Sequence, residues 1–160
     1  MDIYHFFITV LSGIAATVVM TIAMYSYTSL TKHFTKVIHL LGSMISGDQN
    51  FHSPRKSTLI LGTLAHFTVG IIFSMSYYLL WNWGVFEITF LDSVIIGGLS
   101  GIVAIVVWKA YIKLHNYRPK ISQFHYFMAL FIAHIIFGIV SVNLFLIFTD
   151  SPELWHQLNK

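Results

Sequence analysis

The stretch "TLILGTLAHFTVGIIFSMSYYLLW", Thr58 to Trp81, decides the fold. It contains no charged side chain. A helix needs about 20 apolar residues to cross the hydrocarbon core of a bilayer, and this run supplies them. Three further runs are of similar length and character: Phe6–Leu30, Leu91–Tyr111 and Phe124–Phe148. Helices are expected in all four, because a segment in lipid must satisfy its own backbone N–H and C=O groups. The alternation of a membrane β-barrel is absent.

Composition agrees. Of the 160 residues, 56% are hydrophobic and 9% charged, and mean hydropathy is +0.74. A water-soluble domain carries roughly 25% charged residues, so this supply cannot build a wet surface. The length suits one domain, 1–160. The absence of Cys excludes disulfides, thiolate nucleophiles and iron–sulfur ligation. The N-terminal "MDIYHFFITV" lacks a basic leader and reads as a retained anchor.

The connecting segments carry opposite charge. Lys32, Lys36, Arg55 and Lys56 separate spans 1 and 2, and Lys109, Lys113, Arg118 and Lys120 close span 3 and fill the loop after it. The other side holds Asp2, Glu87, Asp92, Asp150, Glu153 and Lys160. The positive-inside rule then places both basic loops in the cytoplasm and both termini outside, in an inner (cytoplasmic) membrane. Aromatic belts are expected at Trp81, Trp83 and Phe86 on the outer edge, and at Trp108, Tyr111, Tyr117 and Tyr126 on the inner one. Residues 32–46 predict an amphipathic helix lying on the cytoplasmic face. Phe34, Val37, Ile38, Leu41, Met44 and Ile45 form its apolar side; Lys32, His33, Lys36, His39 and Ser43 form its polar side.

Spans 1 and 3 share "LSGIAATVV" (Leu11–Val19) and "LSGIVAIVV" (Leu99–Val107), identical at seven of nine positions. Spans 2 and 4 share "AHFTVGII" (Ala65–Ile72) and "AHIIFGIV" (Ala133–Val140). The expected fold is therefore an all-α bundle of four transmembrane helices from two tandem two-helix repeats, about 6–81 and 91–148. A pseudo-two-fold axis along the membrane normal would relate them. Equivalent residues then share a depth, with His66 and His134 roughly 10–15 Å from the cytoplasmic edge. Gly97 and Gly101 form a G-x-x-x-G of the kind that packs helices in lipid, and Ser12, Gly13 and Ala16 form a second small patch.

The two intramembrane histidines carry the functional expectation. Facing imidazoles at one depth suit haem b or a metal, with His66 and His134 as axial ligands and Gly70 and Gly138 leaving room for the ring. Thr17, Thr21, Tyr77, Ser141 and Asn143 are the candidate partners that would fix a tautomer. The specific reading is a haem- or metal-binding electron-transfer module. The alternatives are a structural or assembly subunit of a larger membrane complex, its histidines joining helices by hydrogen bonds, and a small dimeric transporter. Partners would be the bilayer and other membrane subunits or a second copy. His5, His33, His39, His52, His115, His125 and His156 fall at interfaces or in loops without a recognised metal spacing. No carboxylate lies deep in a span, and no phosphate loop, Ser-His-Asp order or zinc-protease helix occurs. The basic residues are taken up by topology, which leaves no patch for nucleic acid.

The residues "AATVVM", "AHFTVG", "GGLSG" and "AHIIFG", one set per span, resemble small four-helix bacterial membrane proteins classed as a domain of unknown function. The resemblance implies the four-helix membrane fold and brings no activity.

Overall fold

The computed structural model describes residues 3–114 and 119–149. Asp2, His115, Tyr117, Arg118, Asp150, Glu153, His156 and Lys160, used above for topology, belts or ligands, lie outside the described residues.

The described residues form five helices: α1 (Ile3–Thr31), α2 (Val37–Ser46), α3 (Lys56–Asn82), α4 (Phe90–Leu114) and α5 (Gln123–Thr149). Four of them, α1, α3, α4 and α5, are long and apolar enough to cross a membrane, so the chain is a multi-pass membrane protein. Their outward faces are broadly hydrophobic, as lipid contact requires; Ile22, Ile60, Leu64, Val106 and Ile132 are all exposed. The ends of α1 and α4 and the starts of α3 and α5 share one end of the bundle, where Tyr27 Oη and His125 Nδ1 lie 3.0 Å apart. That end carries the basic loops. At the opposite end the Tyr4 hydroxyl donates to the Phe148 carbonyl.

Extensive seams join α4 to α5, α1 to α5, α1 to α3 and α2 to α3. A two-fold repeat would also pair α3 with α4 as α1 pairs with α5, and that seam is missing from the extensive ones. The hairpin registers differ as well. A side chain on Gly13 would lie 3.2 Å from Ile71 Cα and 2.9 Å from Ser74 Cβ. Its counterpart Gly101 instead faces Phe131 and His134, 3.0 and 3.3 Å away. Packing like the first hairpin would put Gly101 against Ile139 and Val142, roughly 12 Å further along α5. Similar sequence is not carried into similar helix contacts.

The segment expected on the membrane face is instead drawn into the bundle. Lys32 takes a left-handed conformation (φ 61°) at the end of α1, turning the chain back. Thr35 Oγ1 then donates to the Met24 carbonyl at 2.6 Å, and its N–H to Thr28 Oγ1 at 3.0 Å. Helix begins only at Val37. From there α2 runs antiparallel to α3, back toward its first residue, the Ile38 carbonyl against Gly62 and Gly42 against Thr58 and Gly62. Gly62 is roughly 9 Å along α3 from its first residue, so the start of α2 packs well inside the helix bundle. The burial pattern follows: Leu40, absent from the expected apolar side, is wholly enclosed, and Ser43 of the expected polar side is buried, whereas Ile45 is exposed.

Gly47 ends α2 in the left-handed conformation, and Asp48 clasps the turn that follows. Its carboxylate accepts from the backbone N–H of Asn50 (3.2 Å), the backbone N–H of Arg55 (3.1 Å) and the Thr58 hydroxyl (3.1 Å). The Arg55 N–H, then that of Asn50, holds the carboxyl below its ordinary range. The clasp fixes α2 against the start of α3. Two expected belt residues also moved inward: Trp108 and Tyr126 are buried, ring centroids 5.2 Å apart, between α4 and α5.

Candidate intramembrane binding site

His66 sits near the middle of α3 and His134 near the middle of α5, 6% and 5% exposed. They share a depth, because one turn pair further on, Ser74 Oγ and Ser141 Oγ lie 3.3 Å apart on the same two helices. Both line a single cavity of about 290 Å³. That is at the lower edge of the range for small-molecule sites, roughly 300–1,000 Å³.

Each imidazole has one nitrogen occupied. His134 Nδ1 is 2.8 Å from the Leu130 carbonyl. A carbonyl only accepts, so Nδ1 carries the proton and Nε2 presents a lone pair. His66 Nε2 is 3.0 Å from Thr21 Oγ1, and the Thr21 hydroxyl donates to the Thr17 carbonyl at 2.7 Å. With that proton committed, His66 donates through Nε2 and keeps its lone pair on Nδ1.

The walls are almost entirely apolar, and no Asp, Glu, Lys or Arg lines the cavity. It lies where the α3–α4 seam is missing. On one side the Tyr77 hydroxyl and Ser100 hydroxyl, 2.6 Å apart, tie the two helices together. Toward the basic end, Val37 and Leu41 of α2 and Trp108 and Tyr111 of α4 enclose it. Between these closures α3 and α4 separate. Val69 and Val107 line the cavity and are also 45% and 59% exposed, so the opening faces sideways, toward lipid.

The structure thus brings His66 and His134 to one cavity, as the repeated motif predicted. Gly70 lines it too, yet the space its missing side chain clears is filled by Thr17 Oγ1 of α1. Gly138 does not line it, and Ser93 and Gly97 of α4 fill the space beside it. Both glycines admit a neighbouring helix, which corrects the expectation that they make room for a macrocycle. Of the expected polar partners only Thr21 reaches a histidine; Thr17 donates to the Gly13 carbonyl, Tyr77 bonds Ser100, Ser141 faces Ser74, and Asn143 donates to the Ile139 carbonyl on the exposed face. Sequence reasoning missed Val37, Leu41 and Trp108 as walls. A short helix folded back against the bundle leaves no mark in hydrophobic spacing.

The other described histidines go elsewhere. His33 stacks on His125 with centroids 3.5 Å apart and planes at 15°. His39 donates through Nδ1 to the Phe51 carbonyl at 3.3 Å; burial pushes its imidazole below the ordinary value. His52 packs against Phe34 and Phe51. Among the described residues no group of three or more His, Asp or Glu side chains is placed to hold a metal ion. Comparison with family models, curated proteins and solved structures gives no match.

Proposed function

We propose that this protein holds a small apolar molecule inside the bilayer, at the imidazole pair His66 and His134. The observation that carries the reading is one cavity lined by both imidazoles and by the outward-exposed Val69 and Val107. Ordinary helix packing would close such a gap, because voids in a bundle forfeit contacts. In this reading the basic loops face the cytoplasm and the termini lie outside an inner membrane, by the charge asymmetry. The opening then sits in the inner half of the bilayer.

A second reading, haem b with His66 and His134 as axial ligands in an electron-transfer module, is favoured by one detail. The Leu130 carbonyl holds the His134 proton on Nδ1, which orients Nε2 as metal-bound histidines are commonly oriented by an outer partner. Haem would require His66 to release Thr21 or to ligate through Nδ1.

Mass spectrometry of the protein extracted in mild detergent tests both. Wild type is expected to carry a single small molecule per chain, absent from Val107→Trp, in which indole fills the opening while helical content is unchanged. An absorbance spectrum assigns the class: a Soret band lost in His66→Ala and in His134→Ala identifies haem, and a colourless occupied protein excludes it. Wild-type protein that is empty when taken from lipid-rich membranes contradicts the proposal.

A further inference from the structure

The cavity chemistry specifies more than an apolar occupant. We infer that the natural ligand is a neutral long-chain lipid whose head carries a hydroxyl group, the head donating its one proton to His134 Nε2 beside His66 and the chain leaving between Val69 and Val107. This rests on the binding role proposed above and names the substrate class of that site.

Three observations lead there. The first is electrical neutrality. With no Asp, Glu, Lys or Arg in the lining, a charged head would be buried without a counter-charge, which costs far more than burial of a hydroxyl. Fatty carboxylates and quaternary amines are disfavoured on that ground.

The second is the direction of the hydrogen bonds. Both rings have committed their proton inside the protein, His134 to Leu130 and His66 to Thr21. What the two imidazoles have left is one acceptor nitrogen each. A carbonyl or ether ligand would bring lone pairs against lone pairs, whereas an O–H group supplies the missing donor. A buried acceptor left without a donor is penalised, so the site selects by hydrogen-bond polarity more than by shape.

The third is the route. The Tyr77–Ser100 bond closes the gap on one side and α2 on the other, and only the lipid-facing slot remains. Val69 and Val107 stand roughly 11–12 Å along their helices from that bond, and both line the cavity while remaining exposed on the outer face. A ligand reaching the imidazoles by this route keeps its tail in the membrane and need not be drawn into water.

The test compares three probes of one chain length: hexadecan-1-ol, its methyl ether and palmitate. Protein stripped of endogenous lipid and placed in nanodiscs is incubated with each, and retention is read by native mass spectrometry. The alcohol is expected to be retained at least ~10-fold better than the ether, the difference one hydrogen bond makes, and better than palmitate. His134→Phe, which keeps ring volume and removes the acceptor, should bring alcohol and ether to the same level. Thr21→Val frees His66 from its anchor and should reduce the preference without closing the cavity. Equal retention of alcohol and ether by wild type overturns the hydroxyl assignment and leaves a less selective apolar site. Retention of no probe by wild type, or of every probe equally by wild type and Val107→Trp, overturns the binding role itself.

Discussion

Replacing Gly62 by leucine is expected to detach α2 from α3 and lower the unfolding temperature in detergent by about 5–10 °C. A side chain there would strike the Ile38 carbonyl and come within 2.9 Å of the Gly42 backbone. Neither obstacle is the flexible end of a side chain. The only relief is movement of α2 as a body, which breaks the Ser46–Thr58 contact at 3.2 Å and strains the Asp48 clasp. Overpacking a core position typically costs about 1–3 kcal/mol, and a backbone obstacle belongs at the upper end. Since Val37 and Leu41 would leave the cavity wall with α2, ligand retention should fall with stability. Circular dichroism melts check the first effect. An unfolding temperature unchanged from wild type would mean that α2 does not pack on α3 as described.

The second large effect is expected at the α4–α5 seam. In Gly138→Leu the new side chain would meet the Ser93 carbonyl and lie 2.9 Å from Gly97 Cα, forcing the helices apart. Destabilisation should again reach about 2–3 kcal/mol. Gly98 supplies the internal control, because a Cβ there meets only Phe131 Cζ at 3.9 Å. Gly98→Ala should be neutral or stabilising by up to about 1 kcal/mol, since glycine inside a helix is costly relative to alanine. A Cβ added to Gly97 would lie 2.7 Å from the His134 carbonyl oxygen, so the two backbones pack closely and separating the seam should also shift His134 and weaken binding. If Gly138→Leu and Gly98→Ala melted alike, the seam would be misplaced.

The four spans were legible because lipid imposes a length and a polarity that no other environment imposes. His66 and His134 were legible for the same reason, since an imidazole stands out in an apolar run. The G-x-x-x-G of α4 also read correctly, with Gly97 and Gly101 both buried. Residues 32–46 misled because spacing reports which side of a helix is apolar, not where the helix lies. Leu40 is wholly buried inside the apolar core, by neighbours the local sequence cannot name. Gly70 and Gly138 misled similarly. A glycine beside a histidine reads as cleared space, but whether a ligand or another helix fills it depends on tertiary contacts. The cavity was the least legible feature, because it arises from a seam the repeat would have closed.

The separation of α3 and α4 can be measured directly, since the chain has no cysteine to interfere. A Ser74→Cys, Ser141→Cys pair replaces hydroxyls 3.3 Å apart and should form a disulfide readily in oxidised membranes. A Val69→Cys, Val107→Cys pair across the opening should not, because a disulfide needs Cα atoms within about 7 Å; only a longer bifunctional reagent should join it. Disulfide formation at 69 and 107 as rapid as that at 74 and 141 would show α3 and α4 closed together, and the lipid-facing site would not exist.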